Sequence, residues 1–255
     1  MEIITIPCLE DNFAYLLICP ETQQAAVVDP SEAAPVQKAI EQQGVELTTI
    51  LNTHHHWDHV GGIPGITEQF GIPVYTPKTE TVEGSTNPVG EGDVVVLAEL
   101  NLNLKIMDVP GHTSGAIAYY TNDMVFSGDT LFTAGCGRMF EGTPPQMHAS
   151  LSKFKTLSES TLLYCGHEYT VGNLKFAASV EPENKAIQER LKLAEHSRNL
   201  NQPTVPATLA EEKQTNPFLR CEEPDVISAA SHFSAKKLNE TADVFAAVRQ
   251  WKDHF

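Results

Sequence analysis

Four apolar segments of this chain each run into a residue able to hold a metal ion, and that rhythm restricts the fold more than any other feature. Leu47 to Asn52 feeds straight into Thr53, His54, His55, His56, Trp57, Asp58, His59. Ile106 to Val109 ends at Pro110, Gly111, His112; Met124 to Ser127 at Gly128, Asp129; Leu162 to Cys165 at Gly166, His167. Glycine beside three of these points permits a tight turn or close backbone approach. Side chains alternate along an extended chain, so His54 and His56 point together and His55 points away. After a turn at Trp57, Asp58 and His59 diverge. Imidazole nitrogens and carboxylate oxygens suit zinc and other borderline transition metals. Two neighbouring ions are expected, with Asp129 shared: His54, His56, His112 and Asp129 around one, Asp58, His59, His167 and Asp129 around the other. A solvated, histidine-rich loop would crowd several cations together at mildly acidic pH with nothing to hold them.

The remaining properties limit the setting of such a site. The 255 residues suit one large or two unequal domains, and 41% apolar residues supply a sizeable core. No uninterrupted apolar run approaches the roughly 18 residues of a membrane span. Met1 to Ile6 carries an acid and no apolar signal core, which argues against secretion. Five scattered cysteines without a Cys-x-x-Cys fit reduced thiols in a cytosol. A formal net charge of −16 argues against nucleic acid and anionic membranes as partners, and a monomer is the default.

Ile3 to Pro7, Phe13 to Ile18 and Ala25 to Val28 read as an opening meander, Ala34 to Gln43 as a helix stopped by Gly44, and Ile72 to Thr76 as a strand. Val94 to Leu97 and the alternating Leu102, Leu104, Ile106 read as a hairpin. Beyond His167 the pattern turns helical: Asn173 to Val180, Glu183 to Leu200, a short helix capped by Thr208 and Glu211, and Glu240 to Lys252. The expected division is 1–167 for the metal-binding part and 168–255 for a helical extension.

These motifs resemble the glyoxalase II (hydroxyacylglutathione hydrolase) family of the metallo-β-lactamase superfamily over nearly the whole chain. The superfamily part is the histidine stretch with Pro110-Gly111-His112-Thr113, Ser127-Gly128-Asp129-Thr130 and Gly166-His167-Glu168. The narrower part is Ala134-Gly135-Cys136-Gly137-Arg138, His167-Glu168-Tyr169-Thr170, Thr215-Asn216-Pro217-Phe218 and Arg249-x-x-Lys252-Asp253. The resemblance implies an α/β (α+β) fold: an αββα sandwich with metals at its edge and a C-terminal, mainly helical domain. It also implies a glutathione thioester substrate such as S-D-lactoylglutathione, held by Arg138, Tyr169, Arg249 and Lys252. Phe140 departs from relatives that carry a tyrosine there.

The chemistry expected is attack of a metal-bridging hydroxide, held by Asp58 and Asp129, on the thioester carbonyl. Zinc is the expected metal, though iron and manganese accept the same donors. A β-lactamase, a phosphodiesterase or a single-iron sulfur dioxygenase shares such ligands, and a metal-storing or metal-sensing module is the non-catalytic alternative. The basic C-terminal helix separates the thioesterase from these. His55, His148, His196, His232 and His254 read as surface or packing residues, and Asp29 reads equally as an orienter of a ligand histidine or as a turn cap. Ser127, Cys136 and Cys165 are given no catalytic role.

Overall fold

The computed structural model describes residues 1–255. β1 (Glu2–Cys8), β2 (Asn12–Ile18) and β3 (Gln24–Val28) form the expected antiparallel meander. α1 (Ala33–Gln43) stops at Gly44, whose φ of 65° makes the left-handed cap that a side chain would strain. β4 (Glu46–Leu51) returns parallel to β3. The histidine stretch follows, extended through His56 and then wound into the single turn α2 (Trp57–Val60) rather than a simple bend. α3 (Ile63–Phe70), β5 (Val74–Pro77) and β6 (Asn87–Val89) complete a six-stranded sheet in the order β1 to β6.

β7 (Val94–Leu97) and β8 (Leu102–Asp108) are the predicted hairpin, followed by β9 (Ile117–Tyr120) and β10 (Met124–Gly128). β11 (Leu131–Phe132) and β12 (Gly135–Cys136) make a separate two-stranded hairpin. α4 (Pro144–Phe154), which hydrophobic pattern alone did not single out, starts at a capping box of Thr143 and Gln146. β13 (Leu162–Cys165) lies parallel to β10, so Asp129 and His167 leave the same sheet edge side by side. The remaining elements are α5 (Thr170–Val180), α6 (Lys185–Asn199), β14 (Ala207–Thr208), α7 (Leu209–Thr215), α8 (Pro224–Ser234) and α9 (Thr241–Asp253). None of the helices is long and apolar enough to cross a membrane.

Period-two alternation builds the layers. Ala14, Leu16 and Ile18 of β2 pack with α1 and α3 on the outer face of the first sheet, whereas Phe13, Tyr15 and Leu17 face the second sheet. Likewise Phe126 of β10 faces inward while Val125 meets α4, α5, α8 and α9 on the far side. Helix, sheet, sheet, helix is therefore the order of layers. Both sheets are sandwiched by apolar surface on each face, which is why their strands read as near-continuous apolar runs.

The helical extension shares most of its core with the rest of the chain, apart from a small cluster in which Leu174 and Ala177 of α5 meet Ile187 and Ala194 of α6 beside Ala134. Met147, Leu151 and Phe154 share one cluster with Phe176, Phe218, Phe245 and Val248, and β14 adds an antiparallel strand to the second sheet beside β13. A polar staple joins the same parts. The capping box of Thr208 and Glu211 starts α7, and Glu212 on that helix is fully buried. Its carboxylate accepts from Ala134 N at 2.8 Å and Asn216 Nδ2 at 2.9 Å, and pairs with Arg190 at 2.6 Å. Asn216 also donates to the carbonyls of Phe132 and Gly135. The Thr215-Asn216-Pro217-Phe218 motif thus fixes the hairpin of β11 and β12, which flanks the metal-donor cluster.

Candidate metal centre

All seven predicted donors converge at one edge of the sandwich. His54, His56 and His112 form one group and Asp58, His59 and His167 another, with the donor atoms of each within 4.8 Å of one another. Asp129 lies between the groups: Oδ1 is 3.3 Å from His59 Nε2, and Oδ2 is 3.4 Å from His112 Nε2 and 3.2 Å from His167 Nε2. His55 points away, as alternation requires, and meets Glu80 and Glu141. His148, His196, His232 and His254 stand outside both donor groups.

Outer hydrogen bonds settle the tautomers. Asp29 and Asp11 can only accept, so His59 Nδ1 (3.1 Å) and His167 Nδ1 (2.8 Å) carry the protons. His112 Nδ1 donates to the Arg138 carbonyl at 2.8 Å. The Thr53 hydroxyl spends its proton on Asp29 Oδ2 at 2.6 Å and so accepts from His54 Nδ1 at 3.0 Å. Each of these four histidines therefore turns an Nε2 lone pair inward. Asp29, with φ of 46°, also accepts from Thr53 N and Asn52, and it orients His59 directly and His54 through Thr53 rather than serving as a mere turn cap. Asn12 holds Asp58 Oδ2 at 3.0 Å. Asp11 and Asn12 carry no signal in a single sequence, because Asp and Asn are ordinary turn residues.

This donor set fits a pair of cations. His59 Nε2 and His167 Nε2 lie 3.3 Å apart, an approach of two ring nitrogens that needs a positive charge, whether a proton or a metal ion, close to both. His54 Nε2 and Asp129 Oδ1 are buried without a hydrogen bond, a cost of about 1–3 kcal/mol each that coordination would remove. Burial pushes the pKa values of His54, His56 and His112 down, favouring the neutral, ligating form. Burial also opposes charging of His59 and His167, but the Asp129 carboxylate outweighs it and raises both. Burial likewise resists ionisation of Asp129, yet His59 and His167 hold it well below the usual carboxylate range.

Close approach explains two of the glycines. Gly128 has φ of 50° and leaves room for Thr53, and a methyl on Gly166 would overlap the Asp129 carboxylate and stand 2.6 Å from His59 Cε1. Gly166→Ala is accordingly expected to lower bound metal and to destabilise by about 1–3 kcal/mol, the usual cost of overpacking. Metal content and thermal unfolding check it.

The cluster opens on a groove of about 990 Å³ lined by residues of both parts of the chain, including Trp57, Phe132, Phe140, Arg138, Tyr169, Arg249 and Lys252. Tyr169 stacks flat on His167 at 4.8 Å, and Phe140 meets His56 and His112 edge-on. Lys252 Nζ sits over the rings of Phe176 and Phe255. Arg249 is buried: Nη1 donates to the Cys136 carbonyl at 2.8 Å and Nη2 to Asp253 at 3.0 Å, and its plane lies over Phe218. The Arg138 side chain is 69% exposed, and its Nε lies 3.9 Å from Asp253 Oδ1. Cys136 does have a cation beside it, Arg249, which the sequence did not reveal, but burial wins and lifts the thiol to about 11. Burial lifts Cys165 to about 12. The Ser127 hydroxyl is spent on the Leu131 carbonyl at 2.7 Å.

Both parts of the chain match known proteins. Residues 10–167 match the metallo-β-lactamase superfamily and residues 168–255 the hydroxyacylglutathione hydrolase C-terminus. The hydroxyacylglutathione hydrolase of Alkalilimnicola ehrlichii is 48% identical over 99% of this chain and 98% of its own. That of Nitrosomonas eutropha is 45% identical over 100% and 99%. Among solved structures, ETHE1 from Myxococcus xanthus superposes with a TM-score of 0.67 at 23% identity over 99% of this chain and 98% of its own. BLEG-1 B3 metallo-β-lactamase gives 0.66 at 21% identity over 86% and 99%, a likeness of fold alone. With the sandwich, the paired donor groups and end-to-end identity all in agreement, this chain belongs to the hydroxyacylglutathione hydrolase family of metallo-β-lactamase-fold enzymes.

Proposed function

We propose that the enzyme hydrolyses S-2-hydroxyacylglutathiones, S-D-lactoylglutathione foremost, to glutathione and a 2-hydroxy acid such as D-lactate, the second step of methylglyoxal detoxification. The observation that carries this reading is one groove lined both by the metal donors and by the cations and tyrosine of the C-terminal part. His54, His56, His112 and Asp129 would hold one divalent ion, and Asp58, His59, His167 and Asp129 the other, with zinc the metal proposed for both. When bound, such a pair supplies hydroxide at neutral pH, by lowering water's pKa from about 15.7 toward ~7, and polarises a carbonyl oxygen. Asp58, braced by Asn12, and Asp129 would present the oxygens that orient this nucleophile. With hydroxide supplied there, hydrolysis of the thioester would release glutathione as its thiolate and the acyl group as a carboxylate, and the chain need provide no side-chain nucleophile.

Substrate recognition has to overcome charge. A glutathione thioester is a net anion and the protein carries −16, so short charge-assisted hydrogen bonds must outweigh long-range repulsion. Lys252 and the exposed Arg138 are the cations freest to supply them. Arg249 spends two nitrogens inside the chain and braces the same wall. Burial and the nearby Asp11, Asp129 and Asp58 raise the Tyr169 pKa, which keeps a neutral phenol there to donate to an anionic ligand. We also propose a cytosolic monomer with no nucleic-acid or membrane partner, in keeping with five free cysteines and the acidic charge.

Purified, metal-loaded protein should turn over S-D-lactoylglutathione with release of one thiol per thioester. No turnover, or equal turnover of a β-lactam or phosphodiester, would sink the assignment. Arg138→Ala and Lys252→Ala are expected to raise KM several-fold with kcat nearly unchanged, since these groups touch the tripeptide alike in ground and transition states. Arg249→Ala should in addition lower the unfolding temperature, because it strips buried partners from Cys136 and Asp253. Unchanged KM in both Arg138→Ala and Lys252→Ala would remove this basic wall of the groove as the glutathione clamp.

A further inference from the structure

Behind the metal donors, on the side facing away from the groove, lies a carboxylate that the reaction does not use. Glu80 follows β5, and its side chain is only 2% exposed. One oxygen accepts from the His55 backbone N–H at 2.7 Å and lies 3.0 Å from His55 Nδ1. The other accepts from the Thr113 hydroxyl and from Gly115 N at 3.0 Å. Gly115 makes room for it, since a Cβ there would lie 2.5 Å from Glu80 Cγ. Glu141 repeats the link from outside, accepting from Ser114 N at 2.7 Å and lying 3.3 Å from His55 Nε2. Glu80 therefore ties the backbone between His54 and His56 to the turn just after His112.

His56 needs such a tie more than its fellow ligands do. The other four histidines are each aimed by a hydrogen bond from the ring nitrogen that faces away from the cluster. His56 has only a contact between its inward Nδ1 and His112 Nε2, at 2.9 Å. Its direction must come from the backbone that carries it and from the rings around it. From this geometry we infer that Glu80 is the positioning residue of the first metal position, the one lined by His54, His56 and His112. It takes the place, through the main chain, of the side-chain orienter that His56 lacks. Asp11 does the corresponding work for the second position through His167 alone.

This inference rests on the two-ion reading, and the test keeps the two apart. The full-length, zinc-loaded protein is challenged with a chromophoric chelator, and release of each metal equivalent is followed in wild type, Glu80→Gln, Asp11→Asn and the double variant. Glu80→Gln should release one equivalent about 10 to 100 times more readily, the range for loss of a group that orients a ligand. Asp11→Asn should loosen the other equivalent, and the double variant both. Wild type holding fewer than two equivalents defeats the two-ion reading. Wild type holding two, with Glu80→Gln releasing both alike or loosening the same equivalent as Asp11→Asn, overturns the role of Glu80. Should Glu80→Gln fold poorly, Thr113→Val removes a single donor to the same carboxylate. It must still loosen one equivalent, by a smaller factor, and wild-type release of both overturns the proposal.

Discussion

Asp129→Ala is expected to strip metal from both positions and to lower kcat by more than the ~100-fold that marks the upper end for groups one step removed from a metal. The expectation follows from its two oxygens, which reach toward His59 on one side and toward His112 and His167 on the other. A ligand belonging to one ion would remove one equivalent when lost. Two donor groups that share a carboxylate should lose both, or retain the second only weakly. Metal analysis after dialysis decides it, and two equivalents still bound would rule out the shared ligand. His55→Ala is the matching control. Its ring points away from the donors, and its backbone N–H, which Glu80 holds, survives the substitution. Both ions and most of the activity should remain.

Glu212→Ala is expected to destabilise the whole enzyme by about 3–5 kcal/mol, the usual cost of removing one partner from a buried ion pair. The loss leaves Ala134 N without its acceptor inside the protein, strips the partly buried Arg190 guanidinium of its carboxylate, and takes one of three acceptors from Asn216 Nδ2. Because Asn216 also fixes the hairpin of β11 and β12, activity should fall together with stability rather than independently of it. Urea unfolding, with its slope compared between variant and wild type, gives the number. A single transition is expected, since α4, α5, α8 and α9 share one apolar cluster with strands of the second sheet. A variant within 1 kcal/mol of wild type would mean that the staple is dispensable.

Local chemistry alone makes part of this protein legible in its sequence. Short-range rules govern strand alternation, the glycine stop after α1, the Thr208 capping box and the outward turn of His55, so neighbouring residues are enough to read them. Four strand ends each carrying a donor point to a shared edge, because a histidine or carboxylate at one such point is commonplace and four are not. The positions proposed to face glutathione are legible only through family motifs. Nothing local distinguishes Arg249 and Lys252 from a solvated basic pair.

What tertiary structure alone decided is everything that depends on partners far apart in the chain. Asp11 meets His167 across 156 residues, Asp29 meets Thr53 and His59, and Glu80 joins His55 to Gly115. Each is a single polar residue in or beside a turn, a place where such residues are abundant for purely local reasons. Arg249 gave no sign of being buried, because a guanidinium is tolerated inside only where a carbonyl, a carboxylate and an aromatic face happen to surround it, and these came from Cys136, Asp253 and Phe218. The joint core of the two parts of the chain was hidden for the same reason. A helix pattern shows which face is apolar, but only the folded chain shows that α9 and α4 press those faces together.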